Sequence, residues 1–101
     1  MVERPLLSLR WAPEIILALA AGPKRYNWLL QDLAGISDRV LTERLRDLED
    51  AKLLVRQVDG GPPVRVYYQL TDAGHHYVGP LEQLRLIERG ATTQEVTSQA
   101  S

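Results

Sequence analysis

Side chains that can contact nucleic acid are concentrated in one stretch of the sequence, GISDRVLTERLRDLEDAKLLVRQVD, residues 35–59. At about 100° per residue, Arg39, Thr42, Glu43 and Arg46 fall on one side of a helix. An arginine can bridge O6 and N7 of guanine or grip a phosphate, a threonine can bond either group, and a glutamate can accept from cytosine N4. These four residues are therefore candidates for reading base edges in the major groove of DNA.

The same residues have a second interpretation as an ordinary solvated helix face. Charged residues are common on exposed helices, and Arg39 and Arg46 could pair with Glu43 and Asp47 as helical neighbours. Residues 24–65 include eight basic and seven acidic side chains, so the bulk charge does not favour DNA. Any binding must therefore come from where the basic residues are placed.

Further basic residues stand where they could hold the DNA backbone on both sides of this helix. Lys24 and Arg25 precede the helix before it, Arg56 lies on the strand after it, and Arg65 adjoins the next loop. Ser37 stands at the start of the candidate helix, where its side chain can cap a free N–H group. The complete predicted DNA-binding set is Lys24, Arg25, Ser37, Arg39, Thr42, Glu43, Arg46, Arg56 and Arg65.

Three helices are predicted first, and the candidate base-reading residues lie on the third. The segment WAPEIILALAAG (11–22) has apolar residues at helical spacing, and KRYNWLLQDLAG (24–35) predicts a shorter helix with Asn27 as its N-cap. A short strand at 24–26 would also fit. The third helix is predicted from a cap at Ser37 to about Ala51, and the few residues before it match a helix-turn-helix spacing.

A hairpin and a last helix follow. The segments LLVRQVD (53–59) and VRVYYQL (64–70) are rich in β-branched or aromatic residues, and GGPP (60–63) predicts the hairpin tip between them. A helix is predicted over 71–90, divided or kinked at Gly79-Pro80 because the residue before a proline avoids helical angles. This order predicts an α+β fold that is mostly α, a winged helix-turn-helix with a two-stranded β wing.

The bulk composition bounds the rest of the molecule. A chain of 101 residues is expected to hold one domain, predicted at 12–89, between an N-terminal arm (1–11) and a disordered tail (90–101). The sequence has no cysteine, which excludes disulfides and thiol-based redox sensing in these residues. No apolar run is long enough to span a membrane, so a cytoplasmic protein is expected.

Patterns typical of enzymes and metal proteins are missing from the sequence. It shows no nucleophile–base pairing, no phosphate-binding loop and no metal-ligand spacing. His75 and His76 are adjacent, and adjacent helical residues point about 100° apart, so they cannot easily share one metal ion. No catalytic activity, metal or cofactor is predicted.

The sequence resembles the HxlR-type winged-helix transcriptional regulators, which are relatives of the MarR group. The resemblance covers roughly residues 10–86, and several short segments carry it together: Arg10-Trp11, GPKRYN at 22–27, Ile36-Ser37, LTERL at 41–45 and YQLTDAG at 68–74. It implies a bacterial homodimer that binds operator DNA and pairs through its arm, first helix and last helix. Many members carry a sensor cysteine near the N-terminus, and this sequence has none.

Apolar residues in the arm and the last helix are the predicted dimer contacts. One small domain can hardly bury all of them alone. The set is Leu6, Leu7, Leu9, Trp11, Leu81, Leu84 and Ile87.

Three hypotheses about function follow. The first is a homodimeric regulator that binds inverted-repeat operator DNA. The second is a winged-helix module that binds another protein and does not read DNA sequence. The third adds gating by a small-molecule effector to the first, with Trp11 and Trp28 lining the effector pocket.

Overall fold

The computed structural model describes residues 6–90, and these form five α-helices and three β-strands. A short 3-10 turn at Leu6–Ser8 precedes them. The elements in chain order are α1 (Ala12–Ala18), β1 (Lys24–Arg25), α2 (Tyr26–Asp32), α3 (Asp38–Asp50), β2 (Leu54–Asp59), β3 (Arg65–Leu70), α4 (Asp72–His75) and α5 (Val78–Arg89).

The sheet has the order β1-β3-β2, and both pairings are antiparallel. The β2–β3 pairing runs from Leu54 opposite Leu70 to Asp59 opposite Arg65, so the hairpin is in register to its end. Only those two leucines are buried in the hairpin, and the rest of β2 is exposed. The predicted winged helix-turn-helix is thus confirmed, and the short strand considered at 24–26 forms as β1 at the edge of the sheet.

A single apolar core joins the helices to the base of the wing. Leucine and isoleucine side chains from α1, α2, α3 and α5 pack there with leucines at the base of the hairpin. The buried members are Ile15, Ile16, Leu19, Leu29, Leu33, Ile36, Leu41, Leu45, Leu48, Leu53, Leu54, Leu70 and Leu81.

Two predicted helix boundaries were wrong. Helix α2 begins at Tyr26 with Arg25 as its N-cap, and not after Asn27, because β1 keeps the backbone extended up to Arg25. Pairing with β3 therefore overrides the preference of asparagine for a cap. The first helix also ends earlier than expected, at Ala18, and tight turns lead from there to Gly22.

The last helical segment is divided, but earlier than predicted. The break falls at His76 and Tyr77, between α4 and α5, while Gly79 and Pro80 lie in the first turn of α5. A proline is tolerated in a first turn, since its missing N–H would have no partner within the helix there. The helix can therefore start just before Pro80 instead of stopping at it.

A tight backbone contact closes the base of the wing. The Leu53 carbonyl oxygen accepts a hydrogen bond from the N–H of Thr71 at 3.0 Å. The Thr71 hydroxyl donates to the Lys52 carbonyl at 2.8 Å and accepts from the N–H of Gly74 at 3.0 Å, which caps α4. Gly74 is buried against the same carbonyl, and a Cβ at this position would lie 2.1 Å from the Leu53 oxygen.

Some expectations fall on other parts of the chain. Residues 1–5 of the predicted arm and 91–101 of the predicted tail lie outside the described residues. Within residues 6–90, none of the helices has the length and apolar character needed to cross a membrane.

Gly74→Ala is expected to destabilise the fold by roughly 1–3 kcal/mol, because the new methyl group would overlap a backbone oxygen that cannot move independently. Thermal unfolding would show this as a lower melting temperature. Gly79→Ala is the matched control, since a Cβ there meets no atom within 4 Å. Equal melting temperatures for the two variants would contradict the close contact.

Candidate nucleic-acid interface

Helix α3 has one face in the core and the opposite face in solvent. Leu41, Leu45 and Leu48 are buried, which fixes the rotation of the helix about its axis. The candidate base-reading residues, Arg39, Thr42, Glu43 and Arg46, are all exposed on the other side. The helical spacing predicted from the sequence is therefore the spacing found in the structure.

The N-terminus of α3 is held by Ser37. Its side-chain oxygen accepts from the N–H of Val40 at 3.1 Å, so Ser37 is the N-cap predicted from the sequence. The cap uses Ser37 as an acceptor and leaves its exposed hydroxyl proton free to donate to a phosphate.

A tyrosine that the sequence reasoning missed also anchors this end of α3. Tyr26 is the first residue of α2, and its hydroxyl lies 2.7 Å from Oδ1 and 3.0 Å from the main-chain oxygen of Asp38. The same hydroxyl lies 3.1 Å from Oγ1 of Thr42. One side chain thus links α2 to both the first residue of α3 and a candidate base-reading residue.

The surroundings of Tyr26 favour its neutral form. Burial raises the pKa of Tyr26 above the ordinary value of 10.0, and the hydrogen bond with Thr42 partly opposes this. The hydrogen bond to Asp38 and the negative charge of that residue raise the pKa further. The phenol therefore keeps its proton, and its role as a donor, throughout the neutral pH range.

Three of the predicted DNA-binding cations are already paired within the chain. Lys24 forms an ion pair with Asp32 of α2. Arg39 Nε lies 3.3 Å from Glu43 Oε2, and Arg56 Nε lies 3.4 Å from Glu49 Oε2. The Arg39 side chain is 85% exposed, and exposed pairs contribute only about 0–1 kcal/mol, so a DNA ligand could replace its partner.

Three other cations, Arg25, Arg46 and Arg65, make no ion pair with any of residues 6–90. All three are exposed. Arg25 directly precedes α2, Arg46 lies on α3, and Arg65 is the first residue of β3, near the tip of the wing. Unpaired positive charge is therefore present on α3 and on strands that precede and follow it in the chain.

A polar cleft of about 210 Å³ separates α3 from the sheet. Two arginines, one carboxylate and three hydroxyl groups reach it from α2, α3, β2 and β3. Its lining residues are Tyr26, Thr42, Leu45, Arg46, Glu49, Arg56 and Tyr68. The cleft brings Arg56 of the wing to the same side of the molecule as Thr42 and Arg46.

Arg44 links α3 to the N-terminal segment. Its Nε donates to the Arg10 carbonyl at 3.0 Å, and its Nη1 lies 2.8 Å from Asp47 Oδ2. The pairing of Asp47 with Arg46 considered from the sequence is therefore replaced by a pairing with Arg44. Arg10 in turn stacks over the Trp11 ring, with Cζ 5.3 Å from the ring centroid.

The fold and this surface agree with a match to a known family. The family described as HxlR-like helix-turn-helix matches residues 6–96. The chain belongs to the HxlR-like helix-turn-helix family. The resemblance drawn from the sequence is thereby confirmed, and the match covers every element described above.

Curated HxlR-like relatives include two proteins of Bacillus subtilis (strain 168). Over 69 residues the chain is 42% identical to the HTH-type transcriptional regulator YodB, covering 68% of this chain and 62% of YodB. It is 41% identical to YvaP, an uncharacterized HTH-type transcriptional regulator, covering 68% of this chain and 64% of YvaP. The matched region thus spans less than two thirds of the length of either relative.

Solved structures show the same HxlR-like architecture. The reduced form of YodB from B. subtilis superimposes with a TM-score of 0.77 at 34% identity, covering 84% of this chain and 83% of that one. The redox regulator HypR in its oxidized form superimposes with a TM-score of 0.77 at 27% identity, covering 87% and 89%. The 101-residue sequence has no cysteine, so thiol chemistry cannot be carried over to it from any redox regulator.

The predicted dimer residues separate into three groups by burial. Leu6, Leu7, Leu9 and Trp11 are partly buried within their own chain. Leu81 is buried in the core, so little of its surface remains for a partner. Leu84 and Ile87 are about half exposed, and Leu86, which was not among the predicted contacts, is 60% exposed.

The two tryptophans proposed for an effector pocket do not line one common cleft. Trp11 borders a cleft of about 310 Å³ near the start of α1 and another of about 400 Å³ that reaches Arg85 of α5. Trp28 borders neither of these, and more than half of its side chain is exposed on α2. The geometry therefore leaves Trp11 alone as a pocket-lining candidate.

Tyr26 is expected to make the free energy of unfolding fall as the pH rises in the alkaline range. Its pKa is raised on folding, so the stabilisation is fully present below about pH 10 and is lost as the pH rises through the folded-state pKa. Unfolding by urea between about pH 8 and pH 11 should show a steeper loss of free energy of unfolding in the wild-type protein than in Tyr26→Phe. Parallel curves would show that Tyr26 titrates alike in the folded and unfolded chains.

Proposed function

We propose that this protein is a cytoplasmic, sequence-specific DNA-binding transcriptional regulator. The supporting observation is the exposed face of α3, on which Arg39, Thr42 and Arg46 stand opposite a fully buried leucine stripe. A helix held in this way can enter the major groove, which is about 12 Å wide and admits an α-helix. Family membership and two relatives named as HTH-type transcriptional regulators support the same proposal.

The remaining cations are proposed to position this helix on the duplex. Phosphate contacts fix register and orientation, while base contacts provide sequence discrimination. Arg25, just before α2, and Arg65, at the start of β3, are exposed and form no ion pair within the described residues. Lys24 and Arg56 would have to exchange Asp32 and Glu49 for phosphate oxygens, so their contribution is proposed to be smaller.

The active form is proposed to be a homodimer that pairs through α5 and the N-terminal segment. Leu84 and Ile87 are three residues apart, so they lie on one side of α5, and both are about half exposed. Such a face is unfavourable in water unless a partner covers it. A two-fold dimer would place two copies of α3 about one helical turn of DNA apart or a multiple of it, roughly 10–10.5 bp, on an inverted repeat.

Gating by a small-molecule effector is proposed as an addition to this function. The two clefts bordered by Trp11, of about 310 and 400 Å³, fall within the size range of small-molecule sites. One of them includes Arg85 of the proposed dimer helix. A ligand held there would touch both the start of α1 and α5.

Arg39→Ala is expected to weaken binding to a selected operator by roughly 10-fold or more, because a bidentate arginine–guanine pair discriminates by about 1–3 kcal/mol. Binding to unrelated DNA should change much less. Arg65→Ala is the matched comparison, since loss of a phosphate contact weakens all sequences alike and lowers the salt slope by about one unit. Fluorescence anisotropy against salt concentration would measure both variants.

Thermal melting is the control for each of these arginine substitutions. The side chains of Arg39, Arg46 and Arg65 are all exposed, so their loss should leave the fold intact. Arg39→Ala and Arg46→Ala proteins that melt normally and bind the operator at wild-type strength would refute the proposal. The exposed face of α3 would then be better explained as a surface for another protein.

Leu84→Glu is expected to shift the molar mass measured by light scattering from dimer towards monomer, because a charge would be buried in the proposed interface. Glu88→Gln, on the same helix, is the control for a change of charge and should stay dimeric. A wild-type protein that is wholly monomeric at micromolar concentration would contradict the homodimer.

A further inference from the structure

The Tyr26 hydroxyl has more hydrogen-bond neighbours than it has protons to donate, which limits the possible directions of these hydrogen bonds. The Tyr26 hydroxyl has one proton, and it lies within hydrogen-bond distance of Oδ1 and the main-chain oxygen of Asp38 and of Oγ1 of Thr42. An ionised carboxylate and a main-chain carbonyl can only accept. The direction of the contact between Tyr26 and Thr42 therefore follows from where the phenolic proton goes.

The phenolic proton must point to Asp38. If it pointed to Thr42, the Tyr26 and Asp38 Oδ1 oxygens would face each other at 2.7 Å with no proton between them, beside a negative charge. A hydrogen bond to a carboxylate is also shorter and stronger than one between neutral hydroxyls, which matches 2.7 Å against 3.1 Å. Tyr26 is thus the donor to Asp38 and the acceptor from Thr42.

Thr42 consequently has no proton left for DNA. A threonine hydroxyl has one proton and two lone pairs, and the proton is directed at Tyr26. The residue is exposed on the same face as Arg39 and Arg46, so the remaining lone-pair capacity is presented to the groove. A side chain that can ordinarily donate or accept is in this way restricted to accepting.

We propose that Thr42 selects the exocyclic amino group of adenine or cytosine, because Tyr26 holds its hydroxyl as an acceptor only. In the major groove the donors are adenine N6 and cytosine N4, while guanine O6 and N7, adenine N7 and thymine O4 are acceptors. The acceptor-only hydroxyl is thereby barred from phosphate oxygens and from those base acceptors. This inference rests on the proposed function and adds Tyr26 to it as a positioning residue.

The base pair that Thr42 contacts can be located by site selection from a random duplex library. The wild-type protein and Thr42→Val, which replaces the hydroxyl by a methyl group of similar size, are selected in parallel. The position at which their preferences differ is the one read by Thr42. Failure of the wild-type protein to select any sequence would overturn the proposed function and this inference together, whereas a selected site that Thr42→Val leaves unchanged would overturn the inference alone.

The chemical group is then identified by removing single base substituents at that position. Purine in place of adenine, or 2-pyrimidinone in place of cytosine, deletes the amino group. The base opposite supplies the control, because 5-methyl-2-pyrimidinone in place of thymine, or 2-aminopurine in place of guanine, deletes its major-groove carbonyl. Loss of the amino group should weaken wild-type binding about 2- to 10-fold, the effect of one hydrogen bond, and should not affect Thr42→Val. A wild-type protein that is sensitive to the carbonyl and insensitive to the amino group would overturn the assignment.

Tyr26→Phe separates positioning from general support of the fold. Without the phenol oxygen, the Thr42 proton is released, so the preference at the Thr42 position should relax towards bases with acceptor edges. Preferences at positions lost in Arg39→Ala should stay as in the wild type. A uniform loss of affinity at every position would show that Tyr26 only supports the fold and would overturn its role as a positioning residue. If Tyr26→Phe does not fold, the comparison of wild type with Thr42→Val and Thr42→Ser on the modified bases still decides the polarity.

Discussion

The contact between the Leu53 carbonyl and Gly74 holds the molecule's main elements together. The chain enters the wing just after Leu53 and leaves it at Thr71, whose N–H donates to that same carbonyl. Helix α3 ends immediately before this point and α4 begins immediately after it. Because no Cβ fits between the Leu53 oxygen and residue 74, only glycine lets α3, the wing and the C-terminal helices meet so closely.

Helix α3 is kept in place by polar contacts with elements earlier in the chain. Tyr26 holds the first turn of α3, and Arg44 ties its middle to the Arg10 carbonyl. The leucine stripe fixes which side of α3 faces the core, and these two contacts restrict how the helix can slide or tilt on it. Apolar packing and hydrogen bonds thus constrain different motions of one helix.

The sequence predicted the helices and strands well, but it did not predict most of the pairings between polar side chains. The periodicity of α3 and the Ser37 cap are local features, so their prediction was confirmed. The start of α2 was misplaced, since pairing of Arg25 with a strand about forty residues later decides it. The role of Tyr26 depends on residues in another helix, and the only sign of it was its place in the GPKRYN segment of the family resemblance.

The ion pairs of Lys24, Arg39 and Arg56 would affect how the proposed DNA-binding protein searches a genome. Pairing Lys24, Arg39 and Arg56 with carboxylates lowers the net positive charge that the free protein would present to an arbitrary stretch of duplex. Non-specific binding comes almost wholly from electrostatic attraction, and a genome offers about 10⁶–10⁹ competing sites. Fewer molecules would be sequestered away from the operator, so occupancy at low copy number would depend more on the absolute affinity for the operator than on the ratio of specific to non-specific affinity.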